Sequence, residues 1–366
     1  MKLKFTFKLL KVIKLIVVIH FNLLNDSLFS QHTETDSSQL TVGAYLELYY
    51  TYDFQQTSEN ERPDYFYSYH RTNELNVNLG LISVEYTDHR LRSVLGIMVG
   101  TYAGKNMAHE LPYLRNIHEA RIGYQLHKSK PLWLDIGVLE SHIGFESATG
   151  ANHWNLSRSI LADNTPYYSS GAQLSYETDN YFISLLALNG WQRISRVNDN
   201  TTIGLGHQFT YFFSDQFSVN SSSFVGNEFP NYERRMRYHH NLFAKYETDK
   251  WGLIGGFDIG TEQKAYLSDT YSVFSSAVIE STFQFNTKWS LGLRGEYFMD
   301  NDGVLISVIN DPIFGATSTI NYEPVLGFMM RLEGRYLHHS NSIYSLLDET
   351  IPNGYFVSVG VTFRPF

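Results

Sequence analysis

Cysteine is absent from the chain, which removes disulfide scaffolds and thiolate-held zinc or iron–sulfur centres. Basic residues are scarce. The 28 Lys and Arg are outnumbered by 37 Asp and Glu, for a formal charge of −9. A nucleic-acid binder carries the opposite excess. A polytopic helical membrane protein needs repeated apolar runs of about 20 residues, and only the N-terminus approaches one. What is abundant is hydrophobic: 43% apolar and 15% aromatic content does not suit a disordered chain.

The first thirty residues read as an address. Lys2, Lys4, Lys8, Lys11 and Lys14 precede or interrupt an apolar stretch centred on Leu15–Ile19. Ser30 before Gln31 offers a small residue at a cut. This is the order of a cleaved secretory signal over 1–30, and losing it takes the formal charge from −9 to about −13. Residues 31–41 are mostly polar and are expected to form a flexible lead-in.

From Val42 the hydrophobic period is two. Val42, Ala44, Leu46, Leu48 and Tyr50 share one face; Gly43, Tyr45, Glu47, Tyr49 and Thr51 share the other. The pattern returns about sixteen times, near 42–53, 73–86, 90–103, 115–126, 131–140, 168–177, 180–192, 201–213, 216–227, 237–247, 251–262, 272–286, 288–298, 314–323, 326–337 and 354–364. Near Leu81–Ile82 the phase changes, which predicts a β-bulge. After residue 40 no helical period is sustained. Most segments exceed the usual five or six residues of a globular strand and match the roughly 9–11 of a tilted transmembrane strand.

The connections alternate short and long. Short turns such as Thr178–Asn180 and Thr248–Lys250 carry Asp and Asn, which bond their own backbone. Long ones fall near 55–72, 104–114, 141–167, 193–200, 228–236, 263–271, 299–313 and 338–353. Outer-membrane barrels sort their loops this way, with short periplasmic turns and long external loops. Aromatics crowd the strand ends near the turns, as in an interfacial girdle. The expectation is an all-β, transmembrane, antiparallel up-and-down barrel spanning 42–366.

The stretches His142–Ala148, Leu188–Arg193, Phe257–Lys264 and Arg294–Tyr297 resemble those of the outer-membrane β-barrel porin-2, OmpL-like family, of Bacteroidetes type. The resemblance covers nearly the whole mature chain. It implies a porin in the bacterial outer membrane, and brings no catalytic set. The terminal strand, ending at Phe366, is a feature that the barrel-insertion machinery reads.

Sixteen-stranded porins leave an aqueous channel. Strand phase turns Glu47, Glu119, Arg121, Asp135, Asp258, Glu262, Glu280, Arg294, Glu296, Arg331, Glu333 and Arg335 inward as pore-lining candidates. Acids exceed bases, so a mild cation preference is expected. Opposed acidic and basic walls would create a transverse field. Alternatively, the Arg294/Glu296 and Arg331/Glu333/Arg335 pairs neutralise each other and stiffen the wall. The longest connection, 141–167, carries Glu146, Arg158 and Asp163 and is expected to fold inward as a constriction; the alternative is an external cap.

No cofactor or metal is expected. Adjacent residues in a strand face opposite ways, so neither His239–His240 nor His338–His339 converges on one site. Asp300–Gly303 lacks full calcium-loop spacing and reads as a turn. Gly204, Gly206, Gly255 and Gly256 sit in strands and relieve crowding or allow bending. The chain is read as no enzyme but as a passive pore for small hydrophilic solutes, embedded in outer-membrane lipid, with homotrimer assembly left open. A closed barrel acting in adhesion or envelope integrity through its loops is the alternative. A lipid hydrolase is a further one, and needs a Ser/His pair on the lipid face; His207, between Leu205 and Phe209, is the candidate.

Overall fold

A computed structural model describes residues 38–55, 60–307, 311–341, 344–346 and 349–365. The expected signal (1–30), most of the lead-in and Phe366 lie outside the described residues. Sixteen strands close into one antiparallel barrel, each beside its neighbour in sequence. They are β1 (Gln39–Asp53), β2 (Leu75–Thr87), β3 (Leu91–Val99), β4 (Ile117–Gln125), β5 (Leu132–Glu140), β6 (Tyr168–Glu177), β7 (Tyr181–Leu188), β8 (Gly204–Ser214), β9 (Phe217–Asn227), β10 (Met236–Glu247), β11 (Trp251–Gln263), β12 (Tyr271–Gln284), β13 (Trp289–Met299), β14 (Ile313–Val325), β15 (Phe328–His339) and β18 (Asn353–Phe363). A small hairpin, β16 (Tyr344–Leu346) and β17 (Glu349–Ile351), decorates the last long connection. Closure pairs β18 with β1, Leu46 opposite Phe363. It satisfies every strand edge, as hydrocarbon demands.

The period-two pattern maps onto exposure. Along β11, Trp251, Leu253, Phe257 and Ile259 are exposed, while Gly252, Ile254, Gly256, Asp258 and Glu262 are buried. Along β18, Tyr355, Val357, Val359 and Phe363 alternate with buried Phe356, Ser358, Gly360 and Thr362. The exposed set forms the outer surface of the barrel and the buried set faces the interior. At the short-turn end, Trp251 meets Phe283 at 4.4 Å, Trp289 meets Tyr322 at 4.3 Å and Tyr211 meets Phe213 at 4.7 Å, forming the aromatic girdle. In the short turns Asn286 accepts from the amides of Lys288 (2.9 Å) and Trp289 (3.2 Å) as expected, while Thr178 and Thr248 take that role in two others, accepting from the amides of Tyr181 (3.1 Å) and Trp251 (3.0 Å).

Several local departures from the sequence reading matter. The bulge in β2 sits at Asn78 and not at Leu81–Ile82, because Glu47 pairs with Leu79 and Leu48 with Val77. β3 ends at Val99 and not at residue 103. Gly100 there has φ 118, and its Cα lies against the Asn78 carbonyl where a Cβ would clash. A short helix, α1 (Thr101–Asn106), follows. In β5, Gly137 has φ 140, and the facing pattern changes beyond it. Val138, which strand phase put on the apolar outer face, packs in an interior cluster with Tyr45 and Met98. β7 is also shorter than expected, ending at Leu188 rather than residue 192, and β1 begins at Gln39.

The core lies inside the barrel. One apolar cluster joins Tyr65, Phe66 and Ile160 to Phe298, Ile313, Leu337 and Phe356 of the wall. Ile160 belongs to α2 (Ile160–Asp163), within the 141–167 connection, here named loop 3.

Candidate functional site

The barrel interior is built around loop 3. Five inward glycines on four strands make room for it. A Cβ at Gly206 would meet His142, one at Gly256 Phe145, ones at Gly252 and Gly292 Trp154, and one at Gly360 Leu156. Gly206 and Gly256 thus relieve crowding, one of the two roles expected of them.

Polar groups then fasten the loop to the β13–β15 wall. Arg331 donates to the carbonyls of Gly150 (2.7 Å), His153 (3.1 Å) and Asn155 (3.2 Å). Arg294 donates to the Ser157 carbonyl at 2.6 Å and lies 3.5 Å from Glu280. Arg335 donates to the Arg158 carbonyl at 2.9 Å and to Glu296 at 2.7 Å. Glu296 in turn accepts the Ile160 amide at 2.7 Å, and Glu333 accepts the Ser157 amide at 3.0 Å. Within the loop, Glu146 accepts the Ser159 amide at 3.1 Å. The Ser159 hydroxyl caps α2 by accepting from Ala162. Arg158 is fully buried, ringed by Tyr69, Tyr102 and Tyr167 at 5.5–5.9 Å, and donates to the Ser147 carbonyl.

The sequence-derived candidates therefore divide. Glu280, Arg294, Glu296, Arg331, Glu333 and Arg335 are nearly inaccessible beneath the loop. Their side chains bond loop 3 or one another, the arrangement of an anchor for the loop. The rest pair locally on the wall. Glu47 accepts from Tyr45 (3.0 Å), Tyr69 (2.5 Å) and the bulge residue Asn78 (2.7 Å). Asp135 accepts from Arg92 (2.8 Å) and Arg121 (3.2 Å), and Arg121 also pairs with Glu119. Glu262 pairs with Arg237 at 2.6 Å, and Asp258 lies 3.0 Å from His239.

Free space remains on both sides of the loop. A cavity of about 350 Å³ at the turn end lies among His153, Trp154, Gln284, Ser290 and Asn321, and others lie along the opposite wall. A cavity of about 250 Å³ near the turn end is lined by Glu85, Glu119, Asn152 and Arg364. A narrower one of about 140 Å³ lies beside Phe145, Glu146 and Tyr167. The two share His118 and Glu140. A third, of about 230 Å³, opens among the long loops and shares Tyr168 with the second. Strand phase missed His118 and Glu140. His118 is the extra residue where Gly96 pairs with Glu119 and Ile97 with Ile117; Glu140 follows the departure at Gly137. Bulges are what a strict period-two count cannot see.

Asp163 sits at the end of α2 with one carboxylate oxygen accepting from Ser68 (2.9 Å) and Tyr167 (3.2 Å). Burial pushes its carboxyl up to about 6, against the pull of Arg158.

The outer face carries a polar row. His207 of β8, Ser223 of β9 and His240 of β10 are successive cross-strand partners. Ser223 Oγ lies 2.8 Å from His240 Nδ1, and Ser221 Oγ 3.5 Å from His207 Nε2. Both pairs meet the first requirement of a hydrolase. His338 and His339 bond Asn353 and the Asn341 carbonyl respectively. The Asp300 carboxylate gathers the amides of Val304, Leu305 and Ile306, closing the expected turn. Among the described residues, no three His, Asp or Glu side chains converge as metal ligands.

A family model described as "Putative beta-barrel porin-2, OmpL-like" matches residues 39–364. No curated protein matches the sequence significantly. Among solved structures, an anion-selective porin from Comamonas acidovorans superposes with TM-score 0.61 at 9% identity, covering 90% of this chain and 100% of that one. OmpT of Vibrio cholerae, an outer-membrane protein in its trimer form, superposes with TM-score 0.58 at 10% identity, covering 90% and 100%. At such identities the likeness is one of fold.

Proposed function

The chain belongs to the β-barrel porin-2, OmpL-like family of outer-membrane proteins, and from that premise we propose that it is a porin admitting small hydrophilic solutes and ions past loop 3, with a mild cation preference. The observation that carries this reading is the run of three cavities, two along the β2–β6 side and the third among the long loops, linked through His118, Glu140 and Tyr168. Glu85, Glu119, Glu140 and Glu146 line it, with Arg364 at the turn end. An acid-rich lining favours cations. Loop 3, held on the far wall, acts as the constriction, with Glu146, Arg158 and Asp163 setting its shape. Export by the 1–30 signal, insertion through the terminal strand and trimer assembly complete the proposal; the trimer rests on what the Vibrio protein's description says of that protein.

Single-channel recording of residues 31–366 in a planar bilayer tests it. Discrete open steps with a cation-sided reversal potential are expected. A silent bilayer, with folding confirmed by a heat-modifiable gel shift, would favour the second reading, a closed barrel whose loops act in adhesion. The small middle cavity, about 140 Å³, is the observation on that side.

A further inference from the structure

We propose that copies of this chain associate side by side in the membrane through two different faces of the outer surface: a hollow on β12–β15 of one copy receives the polar row on β8–β10 of the next. This rests on the outer-membrane reading and names the surfaces of the assembly.

The hollow measures about 800 Å³. Its floor is Gly295 of β13, Ala316 and Ser318 of β14 and Gly334 of β15, with Leu293 and Tyr336 at its rim. Gly295 pairs with Ala316 and Ser318 with Gly334, so the four form one block across three strands. The inward glycines make room for loop 3, but these two have no such reason. A Cβ at Gly334 would meet nothing within 4 Å, and one at Gly295 would meet only Ile279, at 3.4 Å. The chain's own packing therefore does not require so low a floor. On a membrane-facing surface, small residues let a neighbouring backbone approach closely. Ser281 and Ser318 add two hydroxyls to the hollow, and neither side chain is hydrogen-bonded among the described residues. An acyl chain could fill the space but offers these hydroxyls neither donor nor acceptor. A protein neighbour offers both.

The complementary groups are on the same outer surface. His207, Ser223 and His240 lie among exposed Leu205, Phe209, Tyr238 and Leu242. Ser223 engages Nδ1 of His240, and Ser221 engages Nε2 of His207. The other nitrogen of each ring has no hydrogen bond among the described residues. The imidazoles thus bring bulk for the hollow and a donor or acceptor for its hydroxyls. Facing hydrocarbon, the same groups would be desolvated without partners.

The depths agree. Ser223, in register with both histidines, is six residues from Phe217 at the short-turn end of β9. Gly295 is six residues from Trp289 at the same end of β13. Copies related by an axis along the membrane normal must meet at equal depth. Because the two faces differ, the contact runs head to tail. β9 stands four to five strands from β13 and β14 around a barrel of sixteen, fewer than the eight that would set the faces back to back. Each copy is therefore turned relative to the last, and the contacts close into a ring rather than a line.

The test uses the whole mature chain folded in detergent, sized by light scattering and on an unheated gel. An oligomer is expected. Gly334→Leu fills the hollow and His240→Leu removes one imidazole. Both make the outer surface more apolar, so the heat-modifiable fold should persist. Each should raise the monomer fraction about tenfold at fixed concentration. Cross-linking reads the contact directly, because the chain has no cysteine of its own. Under mild oxidant, a mixture of the Ser318→Cys and His240→Cys proteins should give a disulfide-linked dimer, and neither alone should. A monomeric wild type overturns the proposal, as does an oligomer that both leucine variants leave intact. Dimers of the Ser318→Cys protein alone mean that the hollow meets itself, and overturn the head-to-tail contact. If neither leucine variant folds, the cysteine mixture decides: a cross-link supports the contact and its absence overturns it. A silent bilayer with the ring intact fails the channel reading and leaves this inference standing. A conducting monomer does the reverse.

Discussion

Ser157 of loop 3 and Glu333 of β15 lie 176 residues apart in sequence and are joined twice. The Ser157 amide donates to one carboxylate oxygen at 3.0 Å, and its hydroxyl donates to the other. Thr319 donates to the same carboxylate at 2.9 Å. Glu333→Ala removes all three bonds and takes from the Ser157 amide its carboxylate acceptor, while Arg294 and Arg335 still donate to Ser157. We expect a loss of about 2–4 kcal/mol in barrel stability, read as a lower unfolding midpoint in urea, together with larger and noisier conductance. An unchanged midpoint would show that the loop is held elsewhere.

Deleting residues 146–163 tests the constriction more bluntly. Conductance should rise severalfold, because the interior then approaches the open lumen of a sixteen-stranded barrel. Unchanged conductance would sink the role given to the loop.

Gly360 and Leu156 form a second contact between wall and loop. A Cβ at Gly360 would overlap the Leu156 side chain. Gly360→Ala should cost about 1–3 kcal/mol through overpacking. Pairing it with Leu156→Ala should recover part of that loss, and a double-mutant cycle reads the coupling. Strict additivity would mean that the two residues do not meet.

Glu140 lines two of the three cavities, whereas Glu296 is locked to Arg335 and the Ile160 amide. Glu140→Gln is therefore expected to lower the cation-to-anion permeability ratio by about twofold, a ring-charge effect. The reversal potential under a salt gradient reports it. Equal ratios in wild type and variant would move the passage away from this wall.

Asp163 predicts a pH dependence. Its folded pKa, about 6, lies above the ordinary aspartate value of 3.8, and Arg158, Arg335 and Glu146 are the charges acting on it. A raised carboxyl pKa means that the fold prefers the neutral form. Stability is thus greatest below the unfolded value and falls as pH rises from about 4 to 6, by about 3 kcal/mol at most. Ionisation also adds a negative charge near the loop-end cavity, so cation preference should weaken as pH drops from 7 to 5. In Asp163→Asn both trends should vanish; their persistence would assign them to another group.

The barrel itself was legible in the chain. Alternation in segments such as Trp251–Gln263 and Asn353–Phe363 reports a two-sided strand, because successive side chains must point opposite ways. The order of short and long connections reported one end from the other, and aromatics at Trp251 and Trp289 marked the turn-side interface. These are local signals, and local geometry suffices to read them. The interior was decided by tertiary structure. Arg331 meets carbonyls of loop 3, and a carbonyl acceptor has no signature in the residue types that carry it. Loop 3 has the polarity of an external cap; it lies inside because glycines at 256, 292 and 360 and arginines at 294, 331 and 335 come from strands that only barrel closure brings around it. His118 and Glu140 face the passage through departures at a bulge and at Gly137, where backbone geometry overrides the period of two.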